Sequence, residues 1–116
     1  MTIDVNQIKQ FEATYVLQVY RRIPVVLVRG EGSRVYDADG KEYIDLLSGI
    51  GVASLGHAHP VLADAIAAQA NELLHTSNLF FHPLQGQVAS ALASLSGLTR
   101  TFFTNSGTEA VEACLK

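Results

Sequence analysis

The hydrophobic pattern of this chain changes period between residues 48 and 60, and this change limits the possible fold more than any other feature. Before it, short apolar runs alternate with turn residues, as in β-strands. After it, apolar residues recur every three or four positions, as in amphipathic helices. The change falls in a stretch with three glycines, two histidines and a proline, which predicts irregular backbone. The sequence therefore predicts an α/β fold.

The first part of the chain is predicted to form a three-stranded antiparallel meander. The predicted strands are residues 25–29, 34–37 and 42–47. They are separated by Gly30-Glu31-Gly32 and by Asp39-Gly40, and the second pair favours a primed hairpin turn, since aspartate tolerates positive φ and glycine adopts it freely. An amphipathic helix is predicted before the sheet, over residues 4–20. Its apolar face consists of Ile8, Phe11, Tyr15 and Val19.

Two amphipathic helices are predicted after the irregular stretch. The first covers residues 61–74 and follows a proline, and a loop over residues 76–82 leads to the second. Pro83 suits the first position of that second helix, and Gly97 suits a left-handed cap at its end. Their apolar stripes consist of Leu62, Ile66 and Leu73 in the first helix and Leu84, Val88, Leu92 and Leu95 in the second.

The end of the sequence predicts a short strand over residues 101–104 and a last helix that begins near Ser106. The helix has an apolar face of Val111, Cys114 and Leu115, so Cys114 is interpreted as a core residue. No stop signal accompanies Lys116. We therefore expect the sequence to stop inside a helix and the domain to be incomplete.

Length and charge exclude several classes of protein. A chain of 116 residues is long enough for one hydrophobic core. Eight basic and eleven acidic residues give a net charge of −3 without a basic cluster, so nucleic acid is not an expected partner. One cysteine excludes an internal disulfide, and the charged residues near the N-terminus exclude a signal peptide or a membrane span. A cytoplasmic protein is the default prediction.

The segment from Phe102 to Ala110 reads as a strand, a tight polar turn and a helix, which is a geometry that binds anions. The first amides of a helix have no internal partners and carry the positive end of its dipole. Gly107 allows a ligand to approach the backbone, and Thr108 can add a hydroxyl. A second interpretation stays open, because Ser106 followed by Glu109 is also a capping box, which needs no ligand.

Several ordered motifs, from about Val25 onward, resemble the class III aminotransferases of the fold-type I pyridoxal-phosphate family, and the acetylornithine aminotransferase subfamily most of all. The turn motif Asn105-Ser106-Gly107-Thr108-Glu109-Ala110-Val111-Glu112 is similar to the family's phosphate-binding signature. The other motifs, in the family's order and spacing, are Tyr36-Asp37-Ala38-Asp39-Gly40 with Tyr43-Ile44-Asp45, Ser48-Gly49-Ile50-Gly51-Val52, Gly56-His57-Ala58-His59-Pro60 and Ser77-Asn78-Leu79-Phe80. Val111 and Gly51 depart from the subfamily, where asparagine and alanine are usual.

The resemblance implies a truncated N-terminal portion of a fold-type I transferase that binds pyridoxal 5'-phosphate. Residues 1–60 would form the N-terminal arm and the β-meander of the small domain, and residues 61–116 the start of the cofactor-binding large domain. Ser106, Gly107 and Thr108 would bind the cofactor's phosphate. The segments around Ser77 and Gly49 would lie near the active-site entrance, where they often serve the other subunit of a homodimer.

The implied reaction is transfer of an amino group between N-acetylornithine and 2-oxoglutarate, in arginine biosynthesis. Amino acids and 2-oxo acids would be its substrates. The lysine, the acid and the arginine that carry the family's chemistry lie beyond this chain, so we expect the chain alone to be inactive and assign it no catalytic residue. Ornithine, succinylornithine, 4-aminobutyrate and aminoadipate-semialdehyde transamination remain alternatives, as does a non-catalytic, self-associating module.

Other candidate residues have simpler interpretations. His57 and His59 lack further ligands at zinc spacing, so a packing role beside the following proline is preferred and no metal site is predicted. His75 and His82 flank the loop over residues 76–82 and are interpreted as solvated or capping residues. Lys116 lies two helical turns beyond Ser106, Gly107 and Thr108, the predicted phosphate-binding turn that is called the phosphate turn below. It is rejected as the catalytic lysine.

Overall fold

The computed structural model describes residues 4–116, which divide into two compact units between Glu72 and Leu73. The elements are α1 (Val5–Tyr15), β1 (Leu27–Glu31), β2 (Arg34–Asp37), β3 (Glu42–Ile44), α2 (Ser48–Gly51), α3 (Pro60–Glu72), α4 (Pro83–Ser96) and α5 (Gly107–Leu115). The mixture of helices and strands confirms the α/β prediction. The predicted domain division at residue 60 refers to a complete transferase and stays a prediction. Residues 1–3 of the predicted first domain lie outside the described range.

The first unit contains the predicted antiparallel meander, with strand order β1-β2-β3. β2 has the predicted bounds, but β1 extends through Glu31, so the predicted turn over residues 30–32 is wrong. The register pairs Gly30 with Val35 and Glu31 with Arg34, which leaves Gly32 and Ser33 as the turn.

β3 ends at Ile44, three residues earlier than predicted. The reason is Asp45, whose Oδ1 accepts hydrogen bonds from the Leu47 and Ser48 amides at 2.9 Å each. This Asx turn competes with the strand ladder for the backbone. The residues that follow β3, from Asp45 to Ser48, therefore form a turn rather than a continuation of the strand.

The hairpin turn between β2 and β3 depends on a different aspartate from the one we predicted. Gly40 has a φ of 81°, but Asp39 is not among the residues with positive φ, so the turn is not of the primed type. Asp37 instead accepts hydrogen bonds from the Asp39 and Lys41 amides through Oδ1. A single left-handed glycine after the turn is the usual solution for a three-residue hairpin loop.

α1 ends at Tyr15, five residues before the predicted end. Asp4 caps its start by accepting from the Asn6 and Gln7 amides. At its end the Gln18 side chain donates to the carbonyls of Glu12 and Val16 at 2.7 and 2.6 Å. These carbonyls are thus satisfied without a further helical turn.

The helix signals of the second half are confirmed. α3 begins at Pro60 and α4 at Pro83, each with proline in the first turn. Gly97 caps α4 with a φ of 75°. His82 is a capping residue, as interpreted, because its Nδ1 accepts from the Leu84 amide at 3.2 Å.

The predicted strand over residues 101–104 is wrong, because the segment belongs to no sheet. A strand requires a neighbour for its amides and carbonyls, and no other segment of residues 4–116 pairs with this one. The helix that follows it is present as α5.

The apolar stripes of the helices are exposed. Val35 in β2 is the only buried hydrophobic residue of residues 4–116. Ile66 in α3 is 60% exposed and Leu95 in α4 is 85% exposed. Cys114 is exposed as well, so its interpretation as a core residue is wrong: no described element covers that face of α5. Amphipathic helices derive most of their stability from burial of such faces.

We expect the chain alone to self-associate, because exposed apolar helix faces attract each other in water. Light scattering at increasing concentration should show species larger than a monomer. A monodisperse monomer with a cooperative unfolding transition would contradict this expectation.

We expect Gly30→Ala to destabilise the meander. A Cβ at Gly30 would lie 2.6 Å from both Cβ and Cγ of His57, so the ring or the strand must move, at a cost of about 1–3 kcal/mol. Amide hydrogen exchange over residues 34–44 should accelerate. Gly86→Ala is the control, because a Cβ there meets nothing within 4 Å and should slow exchange in α4. Equal exchange in the parent and Gly30→Ala would refute the steric argument.

Candidate phosphate-binding site

The turn before α5 is fixed by Ser106. Its backbone is extended, with φ −151° and ψ 159°, and its Oγ accepts from the Glu109 amide at 3.2 Å. Its carbonyl accepts from the Ala110 amide and from the Thr104 hydroxyl, at 3.1 and 3.0 Å. Ser106 is therefore the cap of this helix, in agreement with the capping interpretation.

The second half of the capping box is shifted by one residue. The Glu109 carboxylate accepts from the Asn105 amide at 2.7 Å rather than from the amide of the cap residue. A carboxylate in the first turn also interacts favourably with the helix dipole. The turn is thus braced from both sides by Ser106 and Glu109.

The brace leaves two amides of the helix start unused. Within residues 4–116, no hydrogen-bond acceptor contacts the amide of Gly107 or of Thr108, and both residues are exposed. The Thr108 hydroxyl also makes no hydrogen bond within that range. Adjacent unpaired donors at a helix start are the groups that bind phosphate in other proteins.

Gly107 lies in open space, and its φ is not positive. The backbone conformation therefore does not require glycine here, and no side chain stands beside the Gly107 and Thr108 amides. The segment from Phe102 to Ala110 contains no basic residue. Backbone donors and the helix dipole are therefore the attraction that this segment offers to an anion, and together they fit a phosphate group.

Lys116 pairs with Glu112 at 2.6 Å across one turn of the exposed helix. This pair is a surface i,i+4 contact of small energetic value. The rejection of Lys116 as the catalytic lysine stays a prediction.

The loop over residues 76–82 belongs to the same unit as the phosphate turn. Ser77 has a φ of 65°, and its amide donates to Nε2 of His75 at 3.2 Å. The Asn78 side chain accepts from Gln85 in α4. A cavity of about 340 Å³ is lined by this loop, by α4 and by Phe103, while Ser106, Gly107 and Thr108 lie outside its lining. A role of the loop at an active-site entrance stays a prediction.

The segment around Gly49 is α2, in the first unit. It is a single left-handed turn rather than an ordinary α-helix, because φ is positive from residue 48 to residue 51. Its role at an active-site entrance also stays a prediction.

Sequence reasoning missed a contact between Asp45 and His57, whose Oδ2 and Nε2 lie 2.6 Å apart. The hydrogen bond from His57, and then those from the Ser48 and Leu47 amides, hold the pKa of Asp45 below its usual value. No group of three or more possible metal ligands occurs within the described range, and His59 is not part of this pair.

None of the helices within residues 4–116 has the length and apolar character needed to cross a membrane.

Comparison with known proteins places these observations in a family. The family model described as aminotransferase class-III matches residues 15–116. Acetylornithine aminotransferase of Methanocaldococcus jannaschii is 53% identical over 105 residues, which cover 90% of this chain and 26% of that protein.

Solved structures agree with the sequence comparison. The acetylornithine aminotransferase of Elizabethkingia anophelis matches with a TM-score of 0.90 at 36% identity, over 99% of this chain and 30% of that chain. An ornithine aminotransferase of Toxoplasma gondii, described with partial occupancy of pyridoxal phosphate at its active site, matches with a TM-score of 0.90 at 34% identity, over 98% and 27%.

The chain thus spans between a quarter and a third of the length of these relatives. The similarity to these proteins is not confined to the phosphate turn. It covers nearly the whole chain, in sequence and in fold. The chain belongs to the class III aminotransferases.

Proposed function

We propose that this chain provides the phosphate-binding part of a pyridoxal-phosphate-dependent aminotransferase that acts on N-acetylornithine and 2-oxoglutarate. The observation that carries the proposal is the pair of unused amides at Gly107 and Thr108, in a chain of the class III family. The capping and phosphate interpretations are compatible, because the cap uses the Glu109 amide and leaves the other two available.

Each residue of the turn has a separate task in this proposal. The amides of Gly107 and Thr108 donate to phosphate oxygens, and the Thr108 hydroxyl adds a third donor. Ser106 and Glu109 hold the turn so that these donors point outward together. When bound, pyridoxal phosphate supplies the electron sink that transamination needs. The contribution of this chain is to fix the cofactor's position through its phosphate.

The catalytic lysine, the acid for the pyridine nitrogen and the arginine for the substrate carboxylate belong to other parts of the enzyme in this proposal. The chain alone would then be inactive. Assembly into a homodimer and a cytoplasmic location are also part of the proposal. The M. jannaschii relative supports acetylornithine as the substrate. Ornithine, succinylornithine, 4-aminobutyrate and aminoadipate-semialdehyde are the competing substrates.

A non-catalytic, self-associating module is the second candidate function. The exposed apolar stripes of α3 and α4 favour it. It differs from the first in requiring no ligand at the turn before α5.

We expect Gly107→Val to abolish binding of pyridoxal phosphate in a full-length enzyme that contains this segment, because the side chain would occupy the space of the phosphate. Thr108→Ala should weaken binding by roughly 0.5–1.5 kcal/mol, the value of one neutral hydrogen bond. Cofactor affinity can be measured by absorbance titration. Gly86→Val is the matched control, because it is also a helical glycine in open space.

Ser106→Ala separates capping from ligand binding. It should cost about 1 kcal/mol of stability through loss of the cap. Unchanged cofactor affinity in Gly107→Val, with a stability loss only in Ser106→Ala, would mean that the turn is a helix cap and nothing more.

We expect the full-length enzyme to prefer N-acetylornithine over ornithine as amino donor, by about tenfold or more in kcat/KM. A pocket that accepts a neutral acetamide would leave the second ammonium group of ornithine desolvated and unpaired. Steady-state kinetics with both donors, at fixed 2-oxoglutarate, measures the ratio. A preference for ornithine would remove the substrate assignment and leave the phosphate site untouched.

A further inference from the structure

Asp45 and His57 form a partly buried polar contact in the first unit. Their side chains are 15% and 31% exposed, and Oδ2 of Asp45 lies 2.6 Å from Nε2 of His57. The other carboxylate oxygen, Oδ1, accepts from the amides of Leu47 and Ser48. One carboxylate therefore joins a histidine on one side to the start of a loop on the other.

His57 is itself fixed to the meander through its backbone. Its amide and carbonyl exchange hydrogen bonds of 2.8 and 2.9 Å with Gly32, in the turn between β1 and β2. The close approach depends on glycines, because a Cβ at Gly30 would collide with the His57 side chain and one at Gly56 would lie 3.0 Å from the Gly32 backbone. The imidazole therefore has little freedom to move.

The loop that Asp45 contacts has an unfavourable conformation. Four consecutive residues have positive φ: Ser48 (44°), Gly49 (63°), Ile50 (60°) and Gly51 (81°). Serine and β-branched isoleucine rarely adopt this region, because Cβ approaches the neighbouring carbonyl. Such backbone persists only where the surroundings hold it. The residues that lead into it, Leu47 and Ser48, are the two whose amides Asp45 binds.

We propose that His57 is a positioning residue which, through Asp45, latches residues 48–51 in their left-handed conformation. His57 holds one carboxylate oxygen, so that the other faces the Leu47 and Ser48 amides. A cavity of about 120 Å³ adjoins the pair, and Asp45 and His57 are the only titratable groups in its lining within the described part of the chain. No competing charged group is therefore available there to take over either role.

The hairpin turn at Asp37 provides an internal comparison. Asp37 also accepts two backbone amides through Oδ1, and its Oδ2 accepts from the Tyr43 hydroxyl at 2.8 Å. The chemistry is the same, but this turn contains a single left-handed residue, Gly40. Tyr43→Phe therefore removes the corresponding side-chain donor from an aspartate whose turn has no strained left-handed segment.

The latch has a defined dependence on pH. His57 lowers the pKa of Asp45, so the contact stabilises the ionised carboxylate. A lowered pKa contributes stability above the ordinary aspartate value, and this stability is lost as the pH falls through the lowered pKa. The left-handed segment should therefore loosen on acidification, as Asp45 takes up its proton.

Hydrogen exchange of the full chain tests the latch. The amides of Ile50, Gly51 and Ala53 donate to carbonyls within the loop and report its conformation. In His57→Ala these amides should exchange about tenfold faster or more, after correction for intrinsic rates, while amides over residues 34–44 change little. His57→Gln keeps a side-chain donor and should restore part of the protection. Tyr43→Phe should leave the three amides unchanged.

Two outcomes would overturn the proposal. One is unchanged exchange of the three amides in His57→Ala, and the other is equal acceleration in the loop and in the sheet. The unsubstituted chain provides a second test should His57→Ala not fold: titration of the Asp45 carboxyl, followed by NMR, must coincide with a loss of protection at the three amides, after correction for the pH dependence of intrinsic exchange rates. Protonation of Asp45 without that change refutes the latch.

Discussion

Backbone amides at turns and helix starts must find acceptors, and in residues 4–116 polar side chains provide them at five turns and helix starts. Asp4 caps α1, Asp37 closes the second hairpin turn, and Asp45 ends β3. The same role is filled by His82 before α4 and by Ser106 before α5. These contacts span two to four residues each. The local shape of the chain therefore depends on capping more than on a hydrophobic core.

The same hydrogen bonds determine which backbone amides remain available to a ligand. Asp4 and Asp45 each satisfy two amides with one carboxylate oxygen, so their turns offer few donors to anything else. Ser106 satisfies one amide and leaves those of Gly107 and Thr108. A hydroxyl as the cap adds no charge that would repel a phosphate, and the Glu109 carboxylate in the same turn accepts from the Asn105 amide. Serine is thus a cap that tolerates an anion beside it.

Sequence reasoning predicted the features that depend on near neighbours. Proline at residues 60 and 83, glycine at residue 97 and the helical stripes gave three helices with boundaries within a few residues. The family resemblance assigned phosphate binding to Ser106, Gly107 and Thr108, and this assignment stays a prediction. The mistakes arose where distant or competing groups decide the outcome. The Gln18 side chain ends α1 early, and the segment 101–104 lacks a partner strand.

The contact between Asp45 and His57 is the clearest case of a feature that the sequence could not supply. The two residues stand in separate motifs, twelve positions apart, and their approach depends on the meander bringing Gly32 beside residue 57. Neither motif by itself indicates that the Asp45 and His57 side chains meet. The only available signal was indirect: glycine at residue 30, within a strand, indicates that another group approaches the backbone.

The exposure of the helices sets a condition on the phosphate site. α5 has nine residues, and a helix of this length is marginal in water unless its apolar face is covered. Val111 is 62% exposed and Leu115 is 83% exposed, so residues 4–116 provide little cover. The two free amides bind an anion well only if the helix already holds them in place, since ordering them otherwise subtracts from the affinity. The relatives, three to four times as long, have further chain that can bury such faces. Phosphate affinity at this turn should therefore depend on how completely α5 is covered.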